Sequence, residues 1–123
     1  MRTERTVKAK ASPRLSQSAQ AFLDLDEAIH EFMLHQRSSR HSECTIRHYN
    51  VSLRHLTKAL AATDVEELAD IRPKHLRQLL IDLEQSYKPK TIHGIATDLK
   101  AFFSFHEQEN GIPSPMSRVE MPK

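Results

Sequence analysis

The sequence has one cysteine, Cys44, and two glycines. A lone cysteine excludes an internal disulfide and a thiolate metal cluster, and it suits a reducing compartment. There is no glycine-rich phosphate loop and no Gly-x-Ser-x-Gly nucleophile turn. No segment approaches the roughly 18 apolar residues that span a membrane. The start, MRTERTVKAK, is basic and polar and lacks the apolar core of a secretory signal. These absences give the expectation of a cytoplasmic protein with no membrane partner. The alternation of apolar and polar residues that marks half-buried strands is missing too.

What is present is helical spacing. The 123 residues, 38% hydrophobic and 28% charged, are enough for one domain with a modest core. Residues 1–21 are predicted to be a basic disordered tail, because they offer little apolar surface to offset the entropy of ordering. A first helix is predicted over 25–38, with Asp24 as N-cap, Glu27 at the capping-box spacing, and Leu25, Ile29, Phe32 and Met33 as its stripe. A second covers 43–61 behind Ser42, with Ile46, Tyr49, Leu53, Leu56 and Leu60 on one face. A loop anchored by Val65, Leu68 and Ile71 leads to a third helix over 73–85, opened by Pro73. A fourth spans 89–109, with Ile92, Ile95, Leu99, Phe102 and Phe103 inward and Gly111 as its C-cap. The expected fold is all-α, a compact four-helix bundle over residues 22–111. The proline-containing residues 112–123 read as an extended linker.

Net charge is only +2, but the charges are segregated. Residues 37–58 carry Arg37, Arg40, Arg47, Arg54 and Lys58 against Glu43 alone. Residues 59–85 are acidic, and residues 86–104 hold Lys88, Lys90 and Lys100 against Asp98. A charge near zero therefore conceals a basic face if the fold brings the two basic stretches together. Opposite its apolar stripe, the second helix presents Arg47, His48, Val51, Arg54, His55 and Lys58, with Arg40 and His41 in the preceding turn. The corresponding face of the fourth helix carries Lys90, His93, Gly94, Thr97, Lys100, Ala101 and Ser104. Short polar side chains among cations suit a helix lying against a phosphate backbone. Gly94 costs roughly 0.5–1 kcal/mol relative to alanine in mid-helix, so either a tight helix contact or a close ligand should require it. Ser42 and Thr45, and Lys88, Lys90 and Thr91, stand at helix starts, where free N–H groups favour phosphate. For Ser42, simple capping is the competing role.

Eight histidines raise the question of a metal. His41, His48 and His55 are seven residues apart, so neighbours lie roughly 10 Å from one another along a helix, too far for one ion. No metal site, no cofactor and no catalytic residue is expected.

The order of these features resembles the N-terminal core-binding, SAM-like domain of tyrosine recombinases, the phage integrase family. The resemblance runs over about residues 24–123. It rests on Ser42 and Thr45 before Tyr49, Leu53 and Leu56; on Val65 to Ile71 leading into Pro73; and on Thr91, Ile92, Leu99, Phe102, Phe103 and Phe105. It closes with Gly111-Ile112, Ser114-Pro115 and Met121-Pro122-Lys123, Ser114 standing where members commonly have asparagine. The resemblance implies half of a C-shaped clamp on double-stranded DNA, with helices like the second and fourth facing the major groove. It implies as partners a following catalytic domain, which would supply the Arg, Lys, His-x-x-Arg and Tyr set lacking here, and other protomers on DNA. A free-standing helical DNA-binding regulator and a helical protein-interaction module are the alternatives. The chain by itself is expected to form no covalent adduct with a suicide DNA substrate; a stable protein–DNA adduct on a denaturing gel would overturn that.

Overall fold

A computed structural model describes residues 23–122. The predicted N-terminal tail lies outside the described residues. Four helices make up the described domain: α1 (Leu25–Ser38), α2 (Glu43–Leu60), α3 (Pro73–Leu83) and α4 (Pro89–Asn110). No strand is present among the described residues. The helix ends fall within two residues of those expected, the usual uncertainty of fraying termini.

Each helix starts and stops for a local reason. The Asp24 carboxylate accepts the Glu27 N–H at 2.8 Å and caps α1. Ser42 caps α2 through the Thr45 N–H at 3.1 Å. Prolines open α3 and α4, where a missing N–H costs no helical bond. Gly111 ends α4 with φ 69°, a left-handed conformation that glycine adopts freely. Arg40 holds the same conformation after α1, with φ 62°. There its N–H bonds to the Arg37 carbonyl and the His41 N–H to that of Gln36.

The helices bury one continuous core. α2 packs along α4, α1 lies across both, and α3 leans on α2. Phe32 of α1 is a hub, meeting Tyr49 of α2 edge-on at 5.0 Å and Phe102 of α4 at 5.4 Å. Leu53, Leu56, Leu99 and Phe102 are all but inaccessible. Leu68 and Ile71, two of the expected loop anchors, are buried, and Val65 packs against the same core.

The segment after Gly111, expected to be extended, departs from that reading. Pro115–Arg118 form a 3-10 turn against α3 and α4, and Ile112, Met116 and Val119 are buried. Their spacing of four and then three residues is itself helical; the surrounding prolines masked it. Arg77 of α3 donates to the Arg118 carbonyl at 2.8 Å. His93 of α4 donates through Nδ1 to that of Pro122 at 2.8 Å.

Among the described residues two polar side chains, Ser52 and His106, are wholly buried. His106 bonds through Nε2 to the Ala28 carbonyl at 2.9 Å, and its Nδ1 meets the Asn110 side-chain amide at 2.9 Å. A carbonyl only accepts and an amide nitrogen only donates, so the ring is neutral with its proton on Nε2. Burial pushes its pKa below the ordinary 6.5, against the opposing pull of the Ala28 bond, Glu31 and Glu109. A depressed histidine pKa means the unfolded chain binds the proton more readily. This contribution is intact above about pH 6.5 and is lost as pH falls from there toward the folded-state value. Half-buried His55 is shifted the same way, by desolvation and then by Lys58 and Arg54. Urea midpoints should therefore fall on acidification from about pH 7.5 to 5.5. In His106→Gln that fall should shrink without vanishing; an unchanged slope would show that His106 is not its source.

Candidate nucleic-acid interface

The two basic stretches meet because α2 lies alongside α4. Between them runs an open groove of about 480 Å³. From α2 it is lined by Cys44, Arg47, His48, Val51, Ser52 and His55. From α4 come Lys90, Thr91, Gly94 and Ile95, with Tyr87 closing one end. No acidic side chain lines it. Val51, Ile95 and the bare backbone of Gly94 give it an apolar floor, and Arg47 and Lys90 supply charge from opposite walls.

Helical phase explains which residues meet. Thr91 and Asp98 are seven apart and share the side of α4 that faces α2. Asp98 reaches across to accept hydrogen bonds from His48 Nδ1 at 2.5 Å and from the Ser52 hydroxyl at 2.6 Å. His93 and Lys100, also seven apart, share the flank on which His93 holds the C-terminal segment. Thr97 is exposed between the two sides, its hydroxyl turned back onto the His93 carbonyl at 2.9 Å.

Of the residues proposed from the sequence, the groove gathers Arg47, His48, Lys90, Thr91 and Gly94. Arg54 is exposed on α2 but does not line the groove. Arg40, His41 and Ser42 are exposed in the turn that leads into α2. Ser42 is committed to capping, and it also donates to the Thr45 hydroxyl at 3.0 Å. Lys88 is the N-cap residue of α4 and makes no side-chain capping bond, so the first N–H groups of that helix keep no side-chain partner.

Gly94 resolves between its two expected roles in one respect. A Cβ built there would lie 3.6 Å from His48 Cε1 and 3.9 Å from Nε2, ordinary contact distances. Helix packing therefore does not require glycine at this position. Ser52, Cys44 and Tyr87 are groove residues that the sequence does not single out for binding, and Asp98, beside the groove rather than in its lining, counts there only as a charge. Ser52 is marked in the sequence only by lying one turn after His48; its burial is a fact of the packed structure. Asp98 was findable from its shared phase with Thr91.

No curated protein matches the sequence. The fold is similar to that of a lambda integrase solved as a dimer bound to a COC′ core site, with a TM-score of 0.75 and 17% identity. That likeness covers 93% of this chain and 32% of the lambda integrase chain, so the present chain spans about a third of it. A solution NMR structure of a fragment, residues 61–160, from Clostridium leptum is similar with a TM-score of 0.61 and 16% identity, covering 82% of this chain and 90% of that one. The family described as phage integrase, N-terminal SAM-like domain, matches residues 29–111, and the chain belongs to that family.

Proposed function

We propose that this domain grips duplex DNA through the face formed by α2 and α4, as the N-terminal clamp of a tyrosine recombinase whose chemistry resides in a separate catalytic domain. The observation that carries the reading is that Arg47 and Lys90, 43 positions apart in sequence, line one acid-free groove. Arg40, His41, Arg54 and Lys88 extend positive charge around it, with His93, Thr97 and Lys100 on the far shoulder of α4. Ser42, Thr45 and Thr91 stand at the helix starts that would meet phosphates. Membership of the integrase family and the likeness to a lambda integrase on its core site support this role. On this reading the other partners are that catalytic domain and further protomers on the same DNA, and the protein works at the nucleoid.

No described helix is long and apolar enough to cross a membrane. Among the described residues no group of three or more His, Cys, Asp and Glu could hold a metal ion. The large exposed apolar residues, Leu34, Val51, Ile81 and Tyr87, sit on four different segments and form no stripe for a partner helix.

Binding should be electrostatic in the main. Affinity should fall on the order of 10³-fold between about 50 and 200 mM salt if several phosphates are neutralised. Arg47→Ala and Lys90→Ala should each weaken binding and lower the salt slope by about one, with little change in thermal stability. Lys74→Ala on α3 should leave affinity unchanged; Lys74 is a cleaner control than Arg77, which holds the C-terminal segment. Salt-independent affinity, or greater loss from α3 than from α4, would overturn the assignment.

Arg40 provides a separate test, since its left-handed backbone is strained for any residue but glycine. Arg40→Gly should raise folding stability by roughly 0.5–1 kcal/mol while weakening DNA binding. A variant that gains stability at unchanged affinity would remove Arg40 from the interface.

A further inference from the structure

Asp98 is an acid in the seam of an otherwise cationic face. Its side chain is 13% exposed, whereas that of His48 is 60% exposed. By charge alone, a carboxylate here opposes phosphate binding. Its hydrogen bonds supply a reason for its presence. Oδ2 accepts from the hydroxyl of Ser52, which is buried, and from Nδ1 of His48. A carboxylate oxygen can only accept, so the proton sits on His48 Nδ1. That leaves Nε2 as the free ring nitrogen, and the ring lines the groove. Across from it Gly94 contributes no side chain, where a Cβ would stand 3.9 Å from Nε2.

We propose that His48 is a phosphate contact of this domain and that Asp98 is its positioning residue. This rests on the DNA-binding reading above. When a phosphate enters the groove, Nε2 takes a proton from solvent and donates it in a hydrogen bond to a phosphate oxygen. Asp98 fixes the ring plane and balances the imidazolium charge. The other titratable or charged groups around the ring are Cys44, Arg47 and His55 on α2, Lys90 on α4, and Tyr87. Arg47 and Lys90 supply positive charge from the two walls, and Asp98 is the acid that contacts the ring. Gly94 keeps the approach to Nε2 free.

The proposal fixes the sign of one mutational effect. A surface that acts only by its total charge binds DNA more tightly when an acid is neutralised. A positioned His48 predicts the reverse. With a mixed-sequence duplex and the full chain, Asp98→Asn and His48→Ala should each weaken binding about tenfold, the size of one lost charge-assisted hydrogen bond. In the His48→Ala background, Asp98→Asn should strengthen binding, because only its unfavourable charge remains. Tighter binding by Asp98→Asn with His48 in place would overturn the proposal. Should Asp98→Asn fail to fold, ring nitrogen-15 NMR of the unaltered chain decides. Nε2 should become protonated on saturation with duplex, and an unprotonated Nε2 in the complex would overturn the assignment. Failure of the unaltered chain to bind duplex at all would instead remove the DNA-binding reading.

Discussion

The packing of α2 along α4 is the contact on which the rest depends. It places Arg47 and Lys90 on two walls of one groove, although an acidic stretch separates them in the chain. Drawing cations together is unfavourable, but the magnitudes are unequal. Exposed charge pairs are worth about 0–1 kcal/mol each, screened by water and salt. Each large apolar side chain buried beneath them contributes roughly 1.5–3 kcal/mol. Leu53 and Leu56 on α2, with Leu99 and Phe102 on α4, are of that kind. The apolar seam sets the geometry and the cationic surface follows from it.

The other elements hold that pair in place. α1 crosses both helices through Phe32 and is tied to α4 by the His106 bond to the Ala28 carbonyl. A buried imidazole with both nitrogens partnered specifies one alignment of α1 on α4, because sliding either helix would orphan a polar group at a cost of about 1–3 kcal/mol. Residues 112–122 then return along α4 from its C-terminal to its N-terminal end. Arg77 and His93 secure this return through backbone carbonyls. The bonds bring Pro122 beside Pro89 and Ile92, at the start of the helix that walls the groove.

Much of this was legible in the residues. Ile46, Leu53, Leu56 and Leu60 recur at helical spacing, and all four are buried. Asp24, Ser42, Pro73, Pro89 and Gly111 mark helix ends through local chemistry that operates before any tertiary contact forms. The outward cations of α2 and α4 were legible for the same reason, since a residue opposite an apolar stripe has nowhere to go but solvent. The C-terminal segment was not. Its three buried apolar residues are spaced like a helix, but three prolines within residues 113–122 conceal the period, and only α3 and α4 give Ile112, Met116 and Val119 something to bury against.

The sequence by itself determined the helices, their apolar faces and the sign of charge on each polar face. All of these are set by interactions within a few residues. Tertiary structure decided which polar faces meet. Periodicity shows that His48 and Asp98 each lie off the main apolar stripe, but their hydrogen bond spans 50 positions and depends on how two helices are rotated about their axes. The same rotation left His93 and Lys100 on the far flank of α4 and turned Thr91 and Gly94 toward α2. Helical phase fixes each residue's angle within its own helix; only the packed core fixes the angle of one helix against another.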